Sequence, residues 1–145
     1  MRTERVIQDV TVGKEIPPIE QDIGIEQLVR WAGASGDFSP IHYDREYTQG
    51  AGGLPDLIVH GPFKLALVVR HLTTWANCDP GAIKAVDLRF ASMDTIGMTL
   101  RVGATIDRVD LQTGEVWLTV SVGDADRVST TGTARVVLPR AGGTS

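Results

Sequence analysis

Between Ile25 and Ala32 the apolar residues Ile25, Leu28, Val29 and Ala32 recur at spacings of three and four, the period of one face of an α-helix. Gly24 stands where an N-cap belongs, and Gly33, Ser35, Gly36 and Asp37 end the pattern. Upstream the chain opens with a short strand-like piece, after which Pro17 and Pro18 are expected to break regular structure. A second helix is predicted from Gly61 to about Trp75, because Pro62 fits a first-turn position where its missing N–H costs nothing. Phe63, Leu65, Ala66, Leu67, Val68, Val69 and Leu72 cover most of its circumference, which predicts burial on nearly all sides. Its polar positions are Lys64, Arg70, His71, Thr73 and Thr74.

After the turn Asp79-Pro80-Gly81 no helical period returns. Four stretches rich in Val, Ile, Leu and Thr follow at Ala82–Ala91, Met98–Val109, Val116–Val122 and Arg127–Leu138, and the short turns between them favour antiparallel neighbours. Helices followed by such a meander make an α+β pattern, and a long apolar helix beside one sheet suggests that the sheet wraps it. Between the two helices, Gly36 to Pro55 is rich in glycine and polar residues and reads as a long ordered loop. Loops of that length inside a compact domain usually carry function.

Composition narrows the classes. With 145 residues, 42% hydrophobic and 22% charged, the chain suits one globular domain, assigned to residues 1–140 with a flexible tail at 141–145. A net charge of -4 without a basic patch argues against nucleic acid. A lone cysteine, Cys78, makes no internal disulfide and no thiolate cluster; it reads as a small hydrophobe in a reducing, cytoplasmic compartment. Met1 to Val12 alternates charged and apolar residues, unlike an export signal. The longest apolar run, Leu65–Val69, is far short of the roughly 20 residues that span a bilayer, so no membrane partner is expected. Trp31, Trp75 and Trp117 fall in different elements and read as packing residues, and His71 as a surface or interface side chain. Gly50 to Gly53 lacks the Lys-Ser or Lys-Thr of a phosphate loop and reads as a lid.

Two segments carry chemistry. Asp37 and His42 flank Pro40 in a loop that must bend. An imidazole and a carboxylate held together can orient a water and move its proton; the same residues can equally cap a turn and fill an internal hydrogen bond. Gly61 opens the long helix, where unpaired amides and positive dipole charge suit a carbonyl oxygen, or where glycine only permits tight entry.

The run Ser35-Gly36-Asp37-Phe38-Ser39-Pro40-Ile41-His42-Tyr43-Asp44, followed by His60-Gly61, resembles the MaoC-like hydratases and dehydratases, including the (R)-specific enoyl-CoA hydratases and the (3R)-hydroxyacyl dehydratases that act on carrier-bound substrates. The resemblance covers nearly the whole chain. It implies a hot-dog fold, with an antiparallel sheet around the helix at residues 61–75. It also implies reversible syn addition of water to a trans-2-enoyl thioester to give a (3R)-3-hydroxyacyl thioester. Asp37 and His42 would hold and deprotonate the water and the Gly61 amide would form the oxyanion hole, while Ser39, His60 and Pro62 would position the substrate or the backbone around it. The implied site has no metal and no cofactor, CoA or phosphopantetheine arriving as part of the substrate. Hot-dog domains normally pair, which implies a homodimer, a tetramer, or a heterodimer with another hot-dog chain.

Three departures from the family pattern stand out. Ser39 occupies a position usually held by Asn, so its shorter hydroxyl is expected to make that hydrogen bond, and Pro62 removes one amide next to Gly61. The signature Phe-x-x-Pro-Val-x-x-Gly-Asp reads here Phe90-Ala-Ser-Met-Asp-Thr-Ile-Gly-Met98, expected to be a structural change in a turn. These departures keep open a non-catalytic subunit that completes a partner's site. A thioesterase is a third reading, disfavoured because residues 63–75 hold no Asp or Glu. Lys84 and Arg89 are candidates for the phosphates of CoA or of a carrier arm.

Overall fold

Alternation along the strands sets the architecture of the computed structural model, which describes residues 4–142. Leu100, Val102, Ala104 and Ile106 of β3 (Thr99–Asp110) and Val116, Leu118, Val120 and Val122 of β4 (Glu115–Gly123) point to one face and are buried. Their register, Val102 opposite Val122 and Ile106 opposite Leu118, lines both rows up beneath the long helix α3 (Gly61–Trp75), whose Leu67, Val68 and Leu72 complete the core. Burial of each such side chain contributes about 1.5–3 kcal/mol.

β1 (Glu15–Asp22), β2 (Ile83–Phe90) and β5 (Val128–Val137) complete a five-stranded antiparallel sheet in the order β1-β3-β4-β5-β2. α3 packs against β1, β2, β3 and β4, so the sheet curls around it in the expected hot-dog arrangement. α1 (Ile25–Ser35) begins at Gly24, whose N–H is taken by the Gln27 side chain at 3.0 Å, and ends at Gly36 with φ of 76°. Among the described residues no helix is long and apolar enough to cross a membrane.

Four expectations are corrected. Pro17 and Pro18 do not break the chain; β1 runs through them with a register shift between Ile16 and Ile19, which an edge strand tolerates because proline there forfeits no essential ladder bond. The stretch from Gly36 to Pro55 is not simply loop. It holds a 3-10 turn at Pro40–His42 and the short helix α2 (Arg45–Gln49), capped by Asp44, whose carboxylate accepts the Tyr47 N–H at 2.9 Å. Lys64 and His71 are buried, at 2% and 3% exposure. Cys78 is exposed, in a turn where Asn77 and Cys78 both take left-handed φ values, 60° and 62°, as the chain leaves α3. Of the tail expected at 141–145, residues 143–145 lie outside the described residues.

Candidate active site

The chain that leaves α1 is built to present Asp37. Ser35 Oγ accepts the Asp37 N–H at 3.2 Å, and Asp37 Oδ1 accepts the Ser39 N–H at 3.2 Å, a local turn that fixes the carboxylate. Tyr43 closes the loop by donating its hydroxyl to the Phe38 carbonyl at 2.9 Å. Thr48, buried on α2, donates within the helix to the Asp44 carbonyl at 2.6 Å and lies 3.4 Å from the Pro40 carbonyl of the preceding turn.

The 3-10 turn carries His42 inward, where it is 7% exposed. Its Nδ1 lies 2.7 Å from the Ile58 carbonyl. A carbonyl can only accept, so Nδ1 carries the proton, and in the neutral ring Nε2 presents a lone pair. That Nε2 lies 3.6 Å from Asp37 Oδ2, whose side chain is 46% exposed. Two acceptors facing one gap repel each other but suit one water, which has two hydrogens to donate. Such a water keeps an oxygen lone pair free for attack.

His60 lies against His42, the rings stacked 3.5 Å apart at 19°. Its Nε2 is 3.3 Å from the Asp37 main-chain carbonyl, so it pins the Asp37 loop over His42. Burial first, and the facing His42 second, hold the His60 imidazole below its ordinary value, against the opposing pull of Asp37. His60 is thus held toward its neutral form. The Nδ1 of His60 is buried without a partner among the described residues. Asp37, His42 and His60 could offer ligand atoms within 4.8 Å of one another. Stacked rings, however, hold their lone pairs in two separate near-parallel planes, a poor arrangement for converging on a single ion.

Next to His60, α3 begins. Pro62 has no N–H, and the N–H groups of Phe63 and Lys64 both point to the His60 carbonyl, at 3.2 and 3.4 Å. The Gly61 amide is therefore the first-turn donor without an intrahelical acceptor, at the positive end of a 15-residue helix. A Cβ at Gly61 would meet the Phe90 ring at 3.5 Å, so an aromatic wall stands beside that amide.

The sequence profile of the MaoC like domain matches residues 7–126. The chain belongs to that family. Among solved structures it is similar to a MaoC-like dehydratase at 30% identity and a TM-score of 0.84, with 92% of this chain and 42% of that one covered. The chain thus spans less than half the length of that relative. It is also similar, at 25% identity and a TM-score of 0.78 over 88% of this chain and 98% of that one, to a chain of the ChsH1-ChsH2 complex from Mycobacterium tuberculosis. An (R)-hydratase from A. caviae involved in PHA biosynthesis shares the fold at 22% identity and a TM-score of 0.81, covering 91% and 99% of the two chains. No curated protein sequence matches the chain.

Asp37, His42 and His60, singled out in this MaoC-like sequence, converge in the structure, and Gly61 follows His60 directly at the start of α3. Ser39 reaches the pair only through its backbone N–H among the described contacts, a bond any residue there supplies, rather than through the hydroxyl expected to replace Asn. Pro62 is exposed and shapes the helix entry. Arg89 adjoins Phe90 at one end of β2, whereas Lys84 lies near the other end and donates to the Gly81 carbonyl at 2.7 Å, so the two do not form one cluster. The expected structural change at Asp94 is one, but in the core: Asp94 is fully buried and meets Lys64 at 2.8 Å.

Proposed function

We propose that this chain hydrates trans-2-enoyl thioesters reversibly, giving (3R)-3-hydroxyacyl thioesters. The observation that carries the reading is the pairing of Asp37 Oδ2 with a His42 Nε2 whose other nitrogen is committed to Ile58. His42 Nε2 takes a proton from the water held between the two groups as its oxygen attacks C3. Electron density then moves through C2 to the thioester oxygen, where the Gly61 amide stabilises the developing charge more strongly than it binds the ground-state carbonyl. A donor of this kind contributes about 3 kcal/mol in comparable oxyanion holes. The proton returns to C2, so water is added across the double bond and no net redox change occurs. CoA or phosphopantetheine arrives with the substrate, and no metal enters the balance.

Asp37 is half exposed and β2 is an edge strand with one unpaired side, which supports a site completed by a second hot-dog chain. A heteromeric arrangement is the second reading, favoured by similarity to a chain of the ChsH1-ChsH2 complex. The test is loss of conjugated-enoyl absorbance with trans-2-enoyl-CoA substrates of short, medium and branched chains, the Asp37→Asn variant as control. Turnover by the wild type alone is expected. Equal rates in both proteins would overturn the assignment of Asp37, and turnover only after adding a second hot-dog chain would establish the heteromer.

A further inference from the structure

Lys64 is a lysine in the core, 2% exposed, on the first turns of the helix that begins with Gly61. Its ammonium has three acceptors: Asp94 Oδ2 at 2.8 Å, the Ser92 carbonyl at 3.3 Å and Ser129 Oγ at 3.4 Å. Asp94 is equally well held, taking the Ser129 hydroxyl on Oδ2 at 2.5 Å and Arg127 Nη2 on Oδ1 at 3.2 Å. An ion pair taken out of water gives little net stability over apolar residues of the same size, so stability is a weak reason for its presence. What such a pair does provide is one defined geometry.

That geometry is transmitted to residues 57–61. The Asp94 carbonyl accepts the Val59 N–H at 2.8 Å, and Ile96 N–H reaches the Leu57 carbonyl at 2.9 Å on one side of the segment. On the other side Ile58 N–H donates to the Ile41 carbonyl at 3.0 Å. The Ile58 carbonyl is the acceptor that fixes His42, and Gly61 lies three residues further on.

We propose that Lys64 and Asp94 are positioning residues: by joining the first turns of α3 to the turn at residues 92–96, they lock the 57–61 segment that orients His42 and carries the Gly61 amide. They touch no substrate, and the catalytic part of the inference rests on the hydratase reading. The locking part does not.

The test compares the wild type with a double variant, Lys64→Met with Asp94→Leu, in which no buried charge is stranded. Ser129 can then donate to the Val122 carbonyl, 3.2 Å away, and Arg127 keeps Ser92 and the Met93 carbonyl while 39% exposed. Hydrogen exchange is read without substrate at the Ile58 and Val59 amides and at the His42 Nδ1 proton, with β3 and β4 amides as the internal reference. The expected result is exchange about tenfold faster at the first set and unchanged in the sheet. In the same protein kcat should fall about tenfold with KM within about threefold. Unchanged exchange at Ile58 and Val59, or acceleration shared equally by the sheet, overturns the proposal. If the double variant does not fold, Ser129→Ala, which removes one bond to Asp94 and leaves the pair in place, must show the same local pattern at smaller amplitude. A wild type that turns over no enoyl thioester overturns the hydratase reading and leaves the exchange result to decide the lock.

Discussion

Two pairs of polar side chains flank the segment 57–61, and they are built in opposite ways. Lys64 and Asp94 are in direct contact at 2.8 Å, wholly buried, with hydrogen-bond partners all round. Asp37 and His42 stand 3.6 Å apart, one side chain half exposed, with a lone pair turned into the gap. The closed pair has spent its hydrogen-bonding capacity on geometry. The open pair keeps capacity for a third participant. The difference shows why burial and charge alone do not mark a catalytic centre: the catalytic candidate is the pair that is left incomplete on the side facing solvent.

The largest expected effect comes from the open pair. His42→Ala or Asp37→Asn should lower kcat by about 10²–10⁴-fold in the enoyl-CoA assay while the protein stays folded, because neither change strands a buried charge. The closed pair should answer in the opposite currency. Lys64→Met alone leaves Asp94 without its ammonium partner and should destabilise by about 3–5 kcal/mol in urea unfolding. If His42→Ala unfolds the protein while Lys64→Met leaves it stable, the contrast between the pairs is wrong.

A smaller effect separates His60 and His71 from both pairs. Burial holds each imidazole below the ordinary value of 6.5, with His42 adding to the effect at His60 and Arg70 at His71. Their cations are disfavoured in the native state, so the unfolded chain binds more protons at acid pH. The stability associated with their neutral forms is complete above pH 6.5 and is lost as pH falls below it. Unfolding curves at stepped pH should show this decline, and His71→Leu should flatten it. The smallest effect is Ser39→Asn, which leaves the backbone N–H to Asp37 in place; turnover should stay within about threefold.

Much of this was legible in the chain. The bounds of α3 follow from Pro62 and the apolar run, and the four strands after it from alternation and turn residues, because local pattern and tertiary burial agree there. Asp37, His42 and Gly61 were legible as a motif, but the tautomer of His42 was not, since it depends on a carbonyl 16 residues away. Lys64 was read only as one of the polar positions of α3, not as part of its buried stripe. Yet the spacing 64, 67, 68, 71, 72, 75 is a helical stripe, and its other members Leu67, Val68, Leu72 and Trp75 mark it as the buried one. The same stripe holds His71. The partner of Lys64 lies 30 residues on, in a stretch with the look of a turn, and no local pattern joins them. Pro17 and Pro18 misled because their tolerance depends on β1 being an edge strand, which only the topology reveals.

The central claim is that Asp37 and His42 act from one side on one water. It is tested most directly by hydrating a trans-2-enoyl-CoA in D₂O and reading the relative configuration at C2 and C3 by NMR. With oxygen and deuterium both delivered from the side where the two residues face each other, the product should be the syn adduct with 3R configuration, and His42→Ala should give none at a comparable rate. An anti adduct, a 3S product, or full turnover without His42 would contradict the account.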